Sequence, residues 1–171
     1  VRIAIFSDIL FDYMLSVDAV KQGVDGMMLN PGNIGARYRI KAVVDAVKER
    51  GIPIRIGVNS GSLEKDILKK HGSPTAEALA ESAMRHVSIL EDFDFRDIKI
   101  SVKSTDVKKM IAAYRLLAER TDYPLHLGVT EAGTYELGTI KSSIGIGTLL
   151  ADGIGVTIMV SLSGDPRDVI V

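Results

Sequence analysis

Charged and polar side chains recur at the ends of apolar runs that have the composition of buried β-strands. Chemistry in parallel α/β folds collects at the carboxyl ends of the strands and in the loops that follow them. A strand that is buried on both faces seldom carries a charged residue unless that residue pairs or binds a ligand. The pattern therefore predicts either an anion-binding site or a closed network of ion pairs. The residues concerned are Asp8, Asn30, Arg55 with Asn59, Ser101 with Lys103, Glu131 and Ser161.

Six short apolar runs predict the strands that position these side chains, and amphipathic helical patterns alternate with them. Near-continuous apolar strands that alternate with helices indicate a parallel α/β protein. The predicted strands are Arg2–Phe6, Met27–Asn30, Ile54–Asn59, Ile98–Lys103, Leu125–Thr130 and Thr157–Leu162. The predicted helices are Tyr13–Gln22, Arg37–Arg50, one capped by Ser73 and Pro74 that runs through Leu90, Val107–Arg120 and Ser142–Ala151.

The length of the chain limits how these elements combine. Its 171 residues give roughly 28 residues to each of the strand–helix units, the usual size of a βα repeat. An eight-stranded barrel needs about 250 residues. We expect a single domain over residues 1–171, with a loop from Gly61 to Gly72. Two architectures stay open, a partial or re-closed six-stranded barrel and an open, doubly wound sheet.

Composition narrows the classes of function. The 21 Lys and Arg residues balance 22 Asp and Glu residues, which argues against a nucleic-acid partner bound by bulk electrostatics. The chain has no cysteine, so it offers no disulfide and no thiolate ligand. No apolar run reaches the ~20 residues of a membrane span, and the first residues do not resemble a secretory signal. We expect a cytoplasmic protein without a membrane partner.

The three histidines do not form a recognisable site. His71, His86 and His126 are widely spaced and lack a nucleophile partner. The sequence therefore predicts neither a Ser-His-Asp set nor a metal centre. His86 follows Arg85 in a helical pattern and is expected to lie on the surface.

Several longer motifs make the sequence similar to a known family. They resemble the hydroxymethylbutenyl diphosphate synthases, the iron–sulfur enzymes of the methylerythritol phosphate route to isoprenoids. The resemblance extends from about Phe6 to Pro166. It implies an eight-stranded TIM barrel that binds a cyclic diphosphate, and a separate domain that carries a four-iron four-sulfur cluster. The motifs are Leu29–Gly35, Ile52–Lys65, Glu81–Val87, Ile100–Val107, Pro124–Gly133 and Lys141–Ile154.

The resemblance also assigns roles to the strand-end residues. It implies that this chain corresponds to barrel strands three to eight, and that the first two βα units and the cluster domain lie outside it. Glu131 matches a catalytic position of the family. Asp8, Asn30, Arg55, Asn59, Lys103 and Ser161 match positions around the substrate. This set agrees with the one that the strand ends indicate.

Five positions depart from the family pattern, which has a polar or charged residue at each of them. This chain has Leu10, Met14, Met28, Val156 and Met159 instead, and the family has arginine where Met28 and Met159 stand. Apolar residues that replace ligand-binding groups predict a packed core where the family has a pocket. Such a uniform exchange is typical of an engineered protein.

The favoured interpretation is therefore a truncated, repacked barrel scaffold that has no synthase activity by itself and no cofactor of its own. One alternative is a weak phosphate or diphosphate binder, for which phosphate or sulfate is the expected partner. Another is part of a synthase that is completed in trans. Exposed edge strands also predict association with a second copy of the chain.

Overall fold

The structure of the protein is a computed structural model that describes residues 3–9 and 11–165. Helices separate the six strands as the sequence predicts, but the connections from β2 to β3 and from β3 to β4 each contain two helices where one is predicted. The strands are β1 (Phe6–Asp8), β2 (Gly26–Leu29), β3 (Ile54–Asn59), β4 (Ile98–Lys103), β5 (His126–Gly128) and β6 (Thr157–Met159). The helices are α1 (Tyr13–Gln22), α2 (Pro31–Ile34), α3 (Arg37–Arg50), α4 (Lys65–His71), α5 (Ala76–Glu91), α6 (Val107–Ala118) and α7 (Tyr135–Ala151).

The strands form one sheet in the order β1-β2-β3-β4 and a second sheet of β5 and β6. The pairings β1–β2, β2–β3 and β5–β6 are all parallel. Parallel strands joined by helices confirm the predicted α/β class. Within the described residues the strands do not form a closed barrel. No helix in these ranges is both long enough and apolar enough to cross a membrane.

The chain divides into two compact units. The first runs to Gly57 and includes Ala83–Ile100, and the second contains Val58–Ser82 and the chain from Ser101 onward. Each unit buries its own set of apolar side chains. The buried residues include Val20, Leu29, Val44, Ile56 and Leu90 in the first unit, and Ile67, Val102, Met110, Leu127 and Leu149 in the second.

In the first compact unit, α1 and α3 pack together. The Asp12 carboxylate caps α1 by accepting hydrogen bonds from the backbone N–H groups of Met14 and Leu15 at 2.9 and 3.4 Å. The amphipathic helix predicted at Arg37–Arg50 is confirmed as α3, and its buried side is formed by Ile40, Val43, Val44 and Val47. The helix ends at Gly51, whose φ of 62° is the left-handed conformation that glycine adopts readily.

The first strand begins later than predicted. The prediction was Arg2–Phe6, whereas β1 is Phe6–Asp8, and Arg2 lies outside the described residues. Asp25 explains the shift, because its carboxylate accepts a hydrogen bond from Ile5 N–H at 2.9 Å and its own N–H donates to Ile5 C=O at 2.8 Å. The Ile3 and Ile5 side chains are exposed. Most other predicted strand limits lie within a few residues of the observed ones.

The segment predicted as a loop contains helix α4. Ile67 is fully buried, and Gly72 ends the helix with a φ of 73°. The Glu64 carboxylate accepts a hydrogen bond from Ser82 Oγ of α5 at 2.7 Å and thereby fixes the start of α4. The predicted cap of α5 is also displaced, since Thr75 Oγ1 is the group that accepts the Ala78 N–H.

Helix α7 is longer than predicted, because it begins at Tyr135 and not at Ser142. Gly138 and Gly145 lie inside it, and glycine weakens the helical pattern of a sequence. Close packing explains Gly145, since a Cβ there would lie 2.7 Å from Met110 Cε and 3.2 Å from Val129 Cγ2. The glycine therefore lets α7 approach α6.

A tyrosine hydroxyl connects β4 to β5 in the second compact unit. The Val102 N–H of β4 donates a hydrogen bond to Tyr114 Oη at 3.0 Å, and this hydroxyl donates to the His126 C=O of β5. The Tyr114 side chain, on α6, is fully buried. A side chain thus links two strands that belong to separate sheets.

Candidate anion-binding site

The predicted residues of the first compact unit lie on neighbouring strands. In the parallel register Asp8 aligns with Met28, and Met28 aligns with Arg55. Aligned residues of parallel strands point to the same face of the sheet, so these side chains form one row at the carboxyl ends of β1 and β2. Asp8 is exposed, Arg55 is half-buried, and Met28 is buried. With Asn30 and Gly57 these residues make up the Arg55 cluster.

Met28 covers the guanidinium of Arg55. Its Sδ lies 3.0 Å from Arg55 Nη2, and a thioether sulfur is a weak hydrogen-bond acceptor. The side chain fits because Gly57 has no Cβ, since a Cβ there would lie 2.4 Å from Met28 Cε. A polarizable apolar group therefore occupies space beside a cation at a strand end.

Asn30 shapes the loop that follows β2. Its Oδ1 accepts the Gly32 N–H at 3.1 Å, and its C=O accepts the N–H groups of Asn33 and Ile34 at 2.9 and 3.3 Å. The residue is 6% exposed. These contacts make Asn30 a structural residue of the turn into α2, as expected of asparagine at such positions.

The second compact unit contains a similar arrangement around Lys103. The Lys103 side chain is buried, and its Nζ lies 3.5 Å from Met159 Sδ of β6. Gly128 of β5 lies beside both side chains, since a Cβ there would lie at the contact distance of 3.7 Å from Lys103 Cε and from Met159 Cβ, and 3.1 Å from the Met159 C=O oxygen. Lys103, Gly128 and Met159 make up the Lys103 cluster. In each cluster a methionine sulfur contacts a basic side chain over a strand glycine.

Glu131 follows β5 and has a strained backbone. Its φ of 48° lies in the left-handed region, which costs a non-glycine residue about 1–3 kcal/mol. The Glu131 side chain is exposed. Strained residues concentrate at functional loops, which makes this position a candidate for the chemistry that the resemblance assigns to it.

The remaining predicted site residues, Asn59 and Ser161, are half-buried in the second compact unit. The Asn59 C=O accepts a hydrogen bond from Ser62 N–H at 3.0 Å and so closes the turn after β3. Ser101, which the strand pattern also selects, is fully buried in β4.

The positions that depart from the family pattern are not all core residues. Met28 is buried and Met159 is half-buried, but Met14 and Val156 are 52% and 66% exposed. The prediction of core packing is therefore wrong at Met14 and Val156. Met14 lies in the exposed first turn of α1, and Val156 precedes the strand β6, which pairs on one side only within the described chain. Leu10 lies outside the described residues.

These residues do not fit the iron–sulfur cluster that the resemblance implies. The chain has no cysteine, and its described part contains no group of three His, Cys, Asp or Glu residues that could hold a metal ion.

His86 is 2% exposed, so the prediction of a surface histidine is wrong. His126 has a structural contact, since its Nδ1 lies 2.8 Å from Thr157 Oγ1 across β5 and β6.

Glu81, Lys70 and His71 form a charge cluster between α4 and α5 that the sequence does not predict. Glu81 Oε2 lies 2.7 Å from Lys70 Nζ and 2.8 Å from His71 Nε2. The hydrogen bond from Lys70, followed by the one from His71, lowers the pKa of Glu81 from 4.5 to about 2. The contacts join residues ten and eleven positions apart that belong to two different helices. No sequence motif indicates such a pairing.

We expect Glu81→Gln to lower the melting temperature near neutral pH and to have a smaller effect in acid. The folded-state pKa of Glu81 is about 2, below the ordinary value of 4.5. The ionised carboxylate therefore stabilises the fold in full at pH values above about 4.5. That contribution is lost as the pH falls toward the folded-state pKa. Thermal unfolding followed by circular dichroism across this range measures it, with the exposed Glu119→Gln as control. A difference that stays constant with pH contradicts the assignment.

Solved structures identify the class of fold. The chain superposes with a TM-score of 0.58 on a type I 3-dehydroquinate dehydratase from Clostridium difficile at 12% identity, covering 91% of this chain and 60% of that one. It superposes with a TM-score of 0.55 on a 2,3-dimethylmalate lyase at 9% identity, covering 91% and 56%. At such identities the likeness concerns the fold alone, a parallel α/β arrangement.

The chain belongs to the GcpE TIM-barrel domain family, which matches residues 1–171. It is 60% identical over 166 residues to the 4-hydroxy-3-methylbut-2-en-1-yl diphosphate synthase (flavodoxin) of Geobacter sulfurreducens, covering 97% of this chain and 47% of that protein. Its identity to the Clostridium perfringens protein of the same name is 61%, covering 97% and 48%. The chain therefore spans about half the length of these relatives. These matches confirm the resemblance read from the motifs.

Proposed function

We propose that these 171 residues form part of the barrel of a hydroxymethylbutenyl diphosphate synthase, bind phosphate groups weakly and have no synthase activity by themselves. The observation that carries the proposal is the contact of a methionine sulfur with each of two basic side chains, Met28 with Arg55 and Met159 with Lys103. The relatives at 60% and 61% identity are named as diphosphate synthases, which supports a phosphate-bearing ligand.

Weak binding follows from the energetics of the exchanged arginines. A hydrogen bond to a charged group contributes about 1.5–3 kcal/mol. Two arginines, if their contributions add, account for about 3–6 kcal/mol, or roughly 10²–10⁴ in affinity. Arg55 and Lys103 remain as basic groups, but a thioether covers part of each. We therefore infer a repacked scaffold, of the kind that engineering yields, with residual affinity for phosphate.

The lack of synthase activity follows from the ligands that these residues offer. The resemblance implies a reductive reaction at a four-iron four-sulfur cluster, and a chain without cysteine supplies no thiolate to such a cluster. The proposal concerns these 171 residues alone. In a longer polypeptide, or with a partner, the same strand ends would line one part of the substrate pocket.

Calorimetric titration tests the proposal directly. We expect the methylerythritol cyclodiphosphate and pyrophosphate to bind with dissociation constants of about 100 μM or weaker, which corresponds to no more than about 5.5 kcal/mol of binding free energy. The variants Arg55→Gln and Lys103→Gln are expected to reduce this residual binding, while Lys65→Gln, on the exposed surface of α4, leaves it unchanged. Sub-micromolar binding by the unaltered chain refutes the proposal.

A further inference from the structure

Tyr114 holds the backbone of β4 at the residue that precedes Lys103. The Val102 N–H donates a hydrogen bond to Tyr114 Oη at 3.0 Å, and Lys103 follows Val102 at the end of the strand. The Lys103 C=O accepts a hydrogen bond from Ser60 N–H at 3.1 Å. The backbone that carries the Lys103 side chain is therefore held by one hydrogen bond before the residue and one after it.

The same tyrosine hydroxyl reaches β5. It donates a hydrogen bond to the C=O of His126, which lies two residues before Gly128 of the Lys103 cluster. In the described part of the chain β4 and β5 belong to separate sheets and are not joined by a ladder of backbone hydrogen bonds. The Tyr114 hydroxyl therefore sets the separation of two strands that both contribute to the cluster.

Strand β6 is fixed to β5 in turn. In the parallel register His126 aligns with Thr157, and Gly128 aligns with Met159. His126 Nδ1 also lies 2.8 Å from Thr157 Oγ1. Because Met159 Sδ lies 3.5 Å from Lys103 Nζ, a displacement of β4 from β5 changes the place of the Lys103 ammonium relative to both other members of its cluster.

Tyr114 approaches the strands from the side opposite to the Lys103 side chain. A Cβ at Gly145 of α7 would lie 3.2 Å from Val129 Cγ2, so Val129 faces the helices. A Cβ at Gly128 would lie 3.7 Å from Lys103 Cε, and successive residues of a strand face opposite sides. Tyr114 belongs to α6, which packs against α7. Its hydroxyl can therefore act on Lys103 only through the backbone.

We propose that Tyr114 is a positioning residue of the anion-binding site, whose hydroxyl keeps the Lys103 ammonium at the place where it meets a phosphate group. This inference rests on the proposed function, because it concerns the same site. A charge-assisted hydrogen bond forms only at short range, and a binding group that its supporting residues leave about 1 Å too loose gives a weak site. Loss of the hydroxyl therefore lowers the affinity without removing a group that touches the anion.

A double-mutant cycle tests this role. Pyrophosphate is titrated into the 171-residue chain at fixed ionic strength, and binding is followed by NMR. We expect Tyr114→Phe to weaken binding about fivefold or more, and Lys103→Gln to weaken it at least as much. In the Lys103→Gln chain, Tyr114→Phe is expected to have no further effect, because Tyr114 acts through Lys103. Tyr114→4-aminophenylalanine, which keeps a hydrogen-bonding group at the same place, is expected to restore the affinity.

Thr157→Val is the matched control for the cycle. It removes the contact of Thr157 Oγ1 with His126 Nδ1, but β5 and β6 stay paired through their backbones. We expect its affinity for pyrophosphate to stay within about twofold of the unaltered chain. The nuclear Overhauser effect between the Met159 methyl group and the Lys103 ε-methylene group measures the geometry without an anion. It is expected to weaken in Tyr114→Phe and to persist in Thr157→Val.

Each outcome bears on the proposal. A loss of affinity in Tyr114→Phe that disappears in the Lys103→Gln chain supports it. Unaltered affinity in Tyr114→Phe overturns it, and so does an equal loss in the Lys103→Gln chain, which shows a general effect on the fold. If Tyr114→Phe does not fold, the unaltered chain decides, because reciprocal coupling requires pyrophosphate to slow amide exchange at Val102, and an unchanged rate overturns the proposal.

The measurement without an anion separates this inference from the proposed function. A chain that binds no pyrophosphate, but whose contact between Met159 and Lys103 is lost in Tyr114→Phe, rejects the proposed function and retains the role of Tyr114 in placing Lys103. A chain that binds pyrophosphate, and whose contact and affinity are both unchanged in Tyr114→Phe, retains the proposed function and rejects this role.

Discussion

Replacing Tyr114 with phenylalanine is expected to lower the free energy of unfolding by about 2–4 kcal/mol. The hydroxyl accepts a hydrogen bond from Val102 N–H and donates one to His126 C=O. Phenylalanine retains the ring and its packing but removes both hydrogen bonds at a fully buried position. Each buried backbone group that loses its hydrogen-bond partner lowers the stability by about 1–3 kcal/mol. Loss of both hydrogen bonds also removes the link between β4 and β5.

Urea denaturation followed by circular dichroism measures this loss as a lower midpoint. Tyr135→Phe is the matched control, because Tyr135 is 50% exposed at the start of α7, and its effect is expected to stay within about 0.5 kcal/mol. Equal midpoints for Tyr114→Phe and the unaltered chain contradict the role assigned to the hydroxyl. Faster amide exchange at Val102 in the variant is a second expected result.

Met28→Arg and Met159→Arg are each expected to raise the affinity for pyrophosphate by about 10- to 100-fold. Met28 lies against Arg55 and Met159 lies near Lys103, at 3.0 and 3.5 Å from the basic nitrogens. An arginine at either position places two cations side by side at a strand end. An anion that neutralises both cations then gains two charge-assisted hydrogen-bonding groups in place of one.

Calorimetry with pyrophosphate at fixed ionic strength measures the gain. Met28→Leu conserves the size of the side chain and adds no charge, while Ala112→Arg adds a charge at an exposed position of α6. Both controls are expected to leave the affinity unchanged within about twofold, since surface charges are screened by salt. An equal gain from Ala112→Arg shows that net charge alone is responsible and contradicts a local site. Unaltered affinity in both arginine variants contradicts it as well.

The fold class could be predicted because local sequence and tertiary packing agree in most elements. The stripe of α3 and its final Gly51 show this agreement, since the predicted bounds Arg37–Arg50 are the observed ones. In α7 the two disagree. Gly138 and Gly145 reduce helix propensity, but Gly145 is needed where Met110 approaches the helix. A single sequence shows the low helix propensity of glycine but not the Met110 side chain that packs against Gly145. The predicted start of α7, Ser142, is therefore seven residues later than the observed start, Tyr135.

The candidate site was predictable in its residue types and strand positions, but not in its contacts. The helical pattern of Val107–Arg120 predicts α6, but it does not indicate that the Tyr114 hydroxyl connects two strands. Met28 and Met159 were expected as apolar filler, and the contacts of their sulfurs with Arg55 and Lys103 depend on three-dimensional proximity. The cluster around Glu81 was missed for the same reason, since Lys70 and His71 belong to another helix.

Gly57 limits how this barrel wall can change. A Cβ at position 57 would lie 2.4 Å from the terminal methyl group of Met28, so the two positions share one volume. Any residue larger than glycine at 57 requires a shorter or displaced side chain at 28. Substitutions at position 57 are therefore expected to be tolerated best when position 28 carries a shorter side chain, or one that turns away from this strand.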